Sequence, residues 1–294
     1  MVSGSITALI TPFGNDGSID EESWLGLLDW HREAGTQGIV VGGTTGESVN
    51  LSEGEFERLL SLALDRIGDS MRVLAGTGSS STRDTLNRTR LAARIGAHAA
   101  LVVTPAYNRP TQHGLELHYR EVADHSDIPI VLYNVPSRTA CDLLPETVAR
   151  LAEHQSIVAI KEAIGDAERV DALLETGLSV LSGDDPTCCR SMLAGAAGVI
   201  SVASNLAPER LVALCDLATR GEACAAKAAD QQMAALYRFL SVQPNPIPVK
   251  WMLHRMGRIG PGLRLPLTPL DSAFRAEADQ LIQRLELDAV RDVA

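Results

Sequence analysis

A closed (β/α)8 barrel followed by a helical appendage, an α/β fold, is predicted for this 294-residue chain by three observations. Eight short β-rich runs begin near Ile6, Ile39, Val73, Ala99, Ile130, Ile157, Val180 and Val199. They recur roughly every twenty to thirty-five residues, the length of one strand-and-helix unit, and eight unbroken units favour a closed parallel barrel over an open sheet. After about Gly221 the alternation stops, and the alanine-rich stretch from Ala223 to Leu240 reads as helix with no strand behind it. The expected organisation is a catalytic barrel over 1–224 and a C-terminal helical domain over 225–294.

The intervening segments carry helix signals of their own. Ser52 and Glu55 have capping-box spacing, and Phe56, Leu59, Leu60, Ala63 and Ile67 follow as one apolar stripe. Pro145 suits a first helical position, with Val148, Leu151 and Ala152 behind it; Pro208 precedes the stripe Leu211, Leu214, Cys215 and Ala218. The run Pro244-Asn245-Pro246-Ile247-Pro248 reads as a break, with more helical sequence continuing to near Ala294.

Composition removes several classes of function. A formal charge of −11 and a pI near 5.1, with no block of basic residues, argue against nucleic acid or an anionic membrane as partner. The sequence has neither an eighteen-residue apolar run nor a basic region leading into an apolar core at its start, so a cytoplasmic protein is expected. The five cysteines include no Cys-x-x-Cys pair and read as reduced, buried thiols. The seven histidines form no His-Glu-x-x-His and no convincing ligand set, and there is no Gly-x-Gly-x-x-Gly, so neither a metal nor a cofactor is expected.

In a barrel of this kind chemistry belongs at the C-terminal ends of the strands. The sixth run, Ile157 to Ala163, reads as a buried parallel strand ending on Lys161, where an ammonium must be paired, wet or chemically employed. Taken alone, Lys161 reads as a strand-edge charge leaning into solvent. The second run ends in Gly42-Gly43-Thr44-Thr45-Gly46-Glu47-Ser48, which is either a plain turn or a loop whose N–H groups and threonine hydroxyls receive a small anion. Tyr107 and Tyr133 lie just past the fourth and fifth runs, as packing residues or as proton carriers. Arg138 offers a planar fork for a carboxylate, or an ordinary loop arginine. Their coincidence at the same rim, without a metal set, favours a lysine that forms a Schiff base with a carbonyl compound.

Gly4-Ser5-Ile6, Gly-Thr-Thr-Gly-Glu-Ser at 43–48, Tyr-Asn-Val-Pro-Ser-Arg-Thr at 133–139, Ile-Lys-Glu-Ala at 160–163, Ser-Gly-Asp-Asp at 182–185 and Pro-Asn-Pro-Ile-Pro-Val-Lys at 244–250 occur in order. The chain resembles the dihydrodipicolinate synthase (4-hydroxy-tetrahydrodipicolinate synthase) family of pyruvate-dependent class I aldolases, within the N-acetylneuraminate lyase superfamily. The resemblance implies that Lys161 condenses with the ketone of pyruvate, and that Thr45 and its loop, with the Gly183 and Ile200 backbones, hold that substrate. It implies a proton relay through Tyr133 and Thr44 to a Tyr107 from a neighbouring subunit, and Arg138 as the anchor for the carboxylate of L-aspartate 4-semialdehyde. A homotetramer, built as a dimer of dimers, follows from the same resemblance.

Relatives that cleave sialic acid or sugar acids generally lack an arginine in this Ser-Arg-Thr context, which favours a synthase. The alternatives are another pyruvate-dependent Schiff-base lyase, acting on a sugar-acid or hydroxyproline-pathway substrate, and a non-catalytic keto-acid binder. Lysine-inhibited relatives use polar or aromatic side chains at positions matching Ser48, Val49, Glu53, Phe56, Ser80, Asp84 and Ala106. Here Ala106 lacks a ring, Phe56 lacks a polar group and Ser80 is short, so weak or absent lysine feedback is expected.

Overall fold

Eight strands, each followed by helix, close on themselves in the computed structural model, which describes residues 2–287. They are β1 Gly4–Ala8, β2 Gly38–Val41, β3 Arg72–Gly76, β4 Ala99–Val103, β5 Ile130–Asn134, β6 Ile157–Glu162, β7 Ser179–Ser182 and β8 Gly198–Ser201. Every neighbouring pair is parallel, in sequence order, and β8 returns to β1. Each strand begins within two residues of the position read from the sequence.

Side chains alternate across the barrel wall, and that alternation places the site. Ile6, Val40, Leu74, Leu101, Val131, Ala159 and Leu181 fill the interior, while Ile39, Val41, Val73, Ala100, Leu132 and Ile160 join the larger core beneath the helices. Lys161 lies two residues beyond Ala159, so it emerges on the interior side; Glu162, two beyond Ile160, faces the helices.

The helix signals hold in detail. Ser52 and Glu55 form both halves of a capping box on the helix Glu53–Ile67, whose stripe is buried. Proline opens the helices Pro145–Leu151 and Pro208–Thr219, where its missing N–H forfeits no helical bond. The helices Ala223–Phe239, Ile247–Arg255 and Ser272–Arg284 follow β8, and Met233, Leu236, Val249, Met252 and Leu281 bury into the same core as the barrel's outer face.

Two expectations need correcting. The proline-rich segment is not wholly a break, because a helix starts inside it at Ile247 with Pro248 in the first turn, where proline is tolerated. Cys224 is exposed, unlike the other four cysteines, because it lies in the first turn of the helix Ala223–Phe239 on its outer face. The helical sequence expected beyond residue 287 lies outside the described residues. No helix among the described residues is long and apolar enough to cross a membrane.

Candidate active site

Lys161 stands at the C-terminal end of β6 with 5% of its surface exposed. The parallel register sets Tyr133 of β5 directly beside it, and the ammonium lies 4.4 Å from the centre of the Tyr133 ring. Both residues border a cavity of about 580 Å³ at this end of the barrel, together with Thr44, Thr45, Arg138 and Gly183. Gly183 is there for space: a Cβ on it would come within 2.8 Å of Lys161 Cε. Its N–H donates to the Glu162 carbonyl at 2.6 Å, which ties the end of β7 to that of β6.

The loop after β2 is pinned from several sides. Gly42 has φ +63°, and a Cβ on it would meet the Phe56 ring at 2.8 Å, so both backbone and space require glycine. Thr11 Oγ1 donates to the Gly46 carbonyl at 2.8 Å. Glu47 adopts φ 55° and is buried, an uncommon state for a residue with a side chain, and its carboxylate accepts from Lys250 Nζ at 2.6 Å. Burial pushes the Lys250 ammonium below its ordinary range, while the Glu47 carboxylate pulls the other way. Asn50 Nδ2 and the Arg264 N–H complete the donors around Glu47, at 3.2 and 3.3 Å.

The C-terminal segment supplies one wall of the cavity. Asn245 Nδ2 donates to Thr45 Oγ1 at 3.0 Å, and the Asn245 carbonyl accepts from Arg138 Nη2 at 3.3 Å. Leu240, Ser241, Val242 and Gln243 line the same opening.

The sequence matches the family model described as "Dihydrodipicolinate synthetase family" over residues 1–285. The chain belongs to the dihydrodipicolinate synthetase family. Its similarity to the 4-hydroxy-tetrahydrodipicolinate synthase of Xanthomonas campestris pv. campestris is 52% identity over 283 residues, 95% of this chain and 93% of the relative. The chloride-inhibited dihydrodipicolinate synthase of Acinetobacter baumannii, solved as a complex with pyruvate, superposes with a TM-score of 0.96 at 43% identity, covering 98% of this chain and all of that one. A monomeric dihydrodipicolinate synthase variant superposes at 0.95 with 39% identity, over 97% of each chain.

Of the eight residues that the family resemblance singled out, Lys161, Tyr133, Thr44, Thr45, Arg138 and Gly183 converge on one cavity. Two do not. The Ile200 side chain is buried in the barrel interior, and Val202, two residues further on, borders the cavity. Tyr107 has 93% of its surface exposed and φ 70°, and it does not line the cavity of its own chain. Sequence reasoning passed over Asn245, Glu47 and Lys250, which brace the loop and wall of this cavity, although all three lay inside quoted motifs. A signal was available in Glu47 and Lys250, an acid and a base each embedded in a segment otherwise destined for burial.

Proposed function

We propose that the chain is a 4-hydroxy-tetrahydrodipicolinate synthase, a lyase of the class I type that condenses pyruvate with L-aspartate 4-semialdehyde in lysine (diaminopimelate) biosynthesis. The observation that carries this reading is Lys161, buried against Tyr133 beneath an open cavity and cleared of obstruction by Gly183, in a chain half identical to synthases of that name. The reaction begins when the neutral amine of Lys161 adds to the pyruvate ketone; water leaves and an imine remains. Loss of a methyl proton gives the enamine, whose terminal carbon attacks the aldehyde and forms the new carbon–carbon bond. The amine of the second substrate then adds to the imine carbon and expels Lys161, which closes the ring.

Tyr133 and Thr44 are assigned the proton transfers of imine formation, completed by Tyr107 from a second copy of the chain. The exposure of Tyr107 supports that last assignment and with it at least a dimer; the homotetramer, a dimer of dimers, is proposed on the family resemblance. Thr45, oriented by Asn245, holds the pyruvate carboxylate with the backbones of Gly183 and Ile200, and Arg138 takes the carboxylate of the semialdehyde. The proposed compartment is the cytoplasm, and the proposed division of the chain is a barrel to residue 224 with a helical domain after it.

Incubation with pyruvate and borohydride, followed by peptide mass spectrometry, is expected to find a reduced adduct on Lys161 and none in Lys161→Ala. An unmodified Lys161 would overturn the mechanism. Turnover with L-aspartate 4-semialdehyde but not with sugar-acid aldehydes is the expected second result, and the reverse preference would assign the chain to another pyruvate-dependent activity.

A further inference from the structure

Behind Lys161, on the outer side of the barrel wall, three donors converge on one buried carboxylate. Glu162 leaves β6 on the face opposite Lys161 and is 2% exposed. Its Oε1 accepts the Ile164 N–H at 2.7 Å, its Oε2 accepts Arg169 Nε at 2.7 Å, and Asn134 Nδ2 lies 3.2 and 3.1 Å from the two oxygens. Asn134 stands to Glu162 in the strand register as Tyr133 stands to Lys161. Its own Oδ1 accepts the Leu143 N–H at 2.9 Å, and Arg169 continues to Asp142 Oδ1 and the Leu143 carbonyl at 2.7 and 2.6 Å.

The main chain carries the same tie across a third strand. The Glu162 carbonyl receives the Gly183 N–H, and the Ala163 N–H donates to the Asn134 carbonyl at 3.1 Å. One residue therefore joins the ends of β5, β6 and β7, which present Tyr133, Lys161 and Gly183 to the cavity.

We infer that Glu162, held by Asn134 and Arg169, is a positioning residue for the Schiff-base chemistry, fixing the register that sets Lys161 beside Tyr133. This rests on the function proposed above. Stability alone is a poor reason for the arrangement, since a buried ion pair contributes little beyond a well-packed apolar replacement and sometimes less. Geometry is a better one: all three partners are donors, so only an acceptor with two oxygens satisfies them together.

Glu162→Gln tests the inference, because the amide NH2 must face a donor whichever way it turns. With pyruvate and borohydride, the endpoint of trapping counts competent sites and the time course gives the rate constant per site. The expected result is a rate constant lower by roughly 10- to 100-fold, the size of effect that a displacement of about 1 Å produces, with pyruvate KM changed less than about threefold. Arg169→Lys keeps the charge but loses the fork, and is expected to fall between wild type and Glu162→Gln; it serves also if the first variant does not fold. A lower endpoint or Tm with an unchanged rate constant in either soluble variant would reduce Glu162 to a structural role and overturn the inference. Absence of any adduct in the wild type would instead defeat the proposed function, and the positioning role with it.

Discussion

Removing Lys250 while leaving Glu47 in place strips one buried charge of its partner, and the structure fixes what that costs. The side chains are 2% and 0% exposed and their charged atoms lie 2.6 Å apart. In Lys250→Met, Glu47 Oε2 keeps Asn50 and the Arg264 N–H, but Oε1 loses its hydrogen bond. Orphaning one member of a buried pair costs about 3–5 kcal/mol. At roughly 2–4 °C per kcal/mol, the melting temperature is expected to fall by roughly 6–20 °C. The double variant Glu47→Gln, Lys250→Met removes both charges and should recover most of the loss, giving a coupling energy of about 2–3 kcal/mol in a double-mutant cycle. Because Glu47 sits in the loop that carries Thr44 and Thr45, pyruvate KM should rise in the single variant and recover in the double. Denaturant titration and steady-state kinetics on the four proteins provide the assay. A single variant within about 1 kcal/mol of wild type, or a coupling near zero, would refute the reasoning.

Four further outcomes are expected. Asn245→Ala removes the donor to Thr45 but keeps the carbonyl that receives Arg138, so pyruvate KM should rise by roughly 2- to 12-fold, one ordinary hydrogen bond, with kcat little changed. Arg138→Ala should lower kcat/KM for L-aspartate 4-semialdehyde by roughly 10- to 100-fold, while the pyruvate adduct on Lys161 forms as before; equal damage to both would displace Arg138 from its assigned carboxylate. Burial pushes His31 down to about 3, with the Arg258 charge adding to it, so the folded state refuses a proton that the unfolded chain accepts below about 6.5. Stability from this source is complete above pH 6.5 and declines as pH falls toward 3, by about 1.4 kcal/mol per pH unit, and denaturant midpoints of His31→Gln should show a correspondingly flatter acid limb. L-Lysine should inhibit turnover weakly or not at all, and half-inhibition below a millimolar in a coupled assay would contradict that expectation.

How far the sequence disclosed all this varies with the range over which the physics acts. Strand positions were legible because short buried runs and helical stripes are local patterns, and the Ser52–Glu55 capping box is decided within four residues. Lys161, Tyr133 and the Thr44–Thr45 loop could be found because barrel geometry sends strand ends to one rim. Asn245 was not legible, and Lys250 showed only as a base in an otherwise buried segment, since each acts on a partner about two hundred positions earlier that nothing local identifies. Glu162 escaped for a different reason. Alternation puts it behind the wall, where its role depends on three donors from β5, the next loop and the following helix. Tyr107 was visible as a residue, but the role proposed for it depends on a second copy of the chain.

The bonds that join Thr45, Glu47 and Glu55 to Asn245, Lys250 and Arg264 have a consequence for the order of events during synthesis. At roughly 5–20 residues per second, the ribosome delivers the last strand more than a second before these partners emerge. During that interval the emerged chain lacks one wall of the cavity, and Glu47 lacks its counter-ion. Substrate capture thus becomes competent late, after most of the polypeptide has left the exit tunnel.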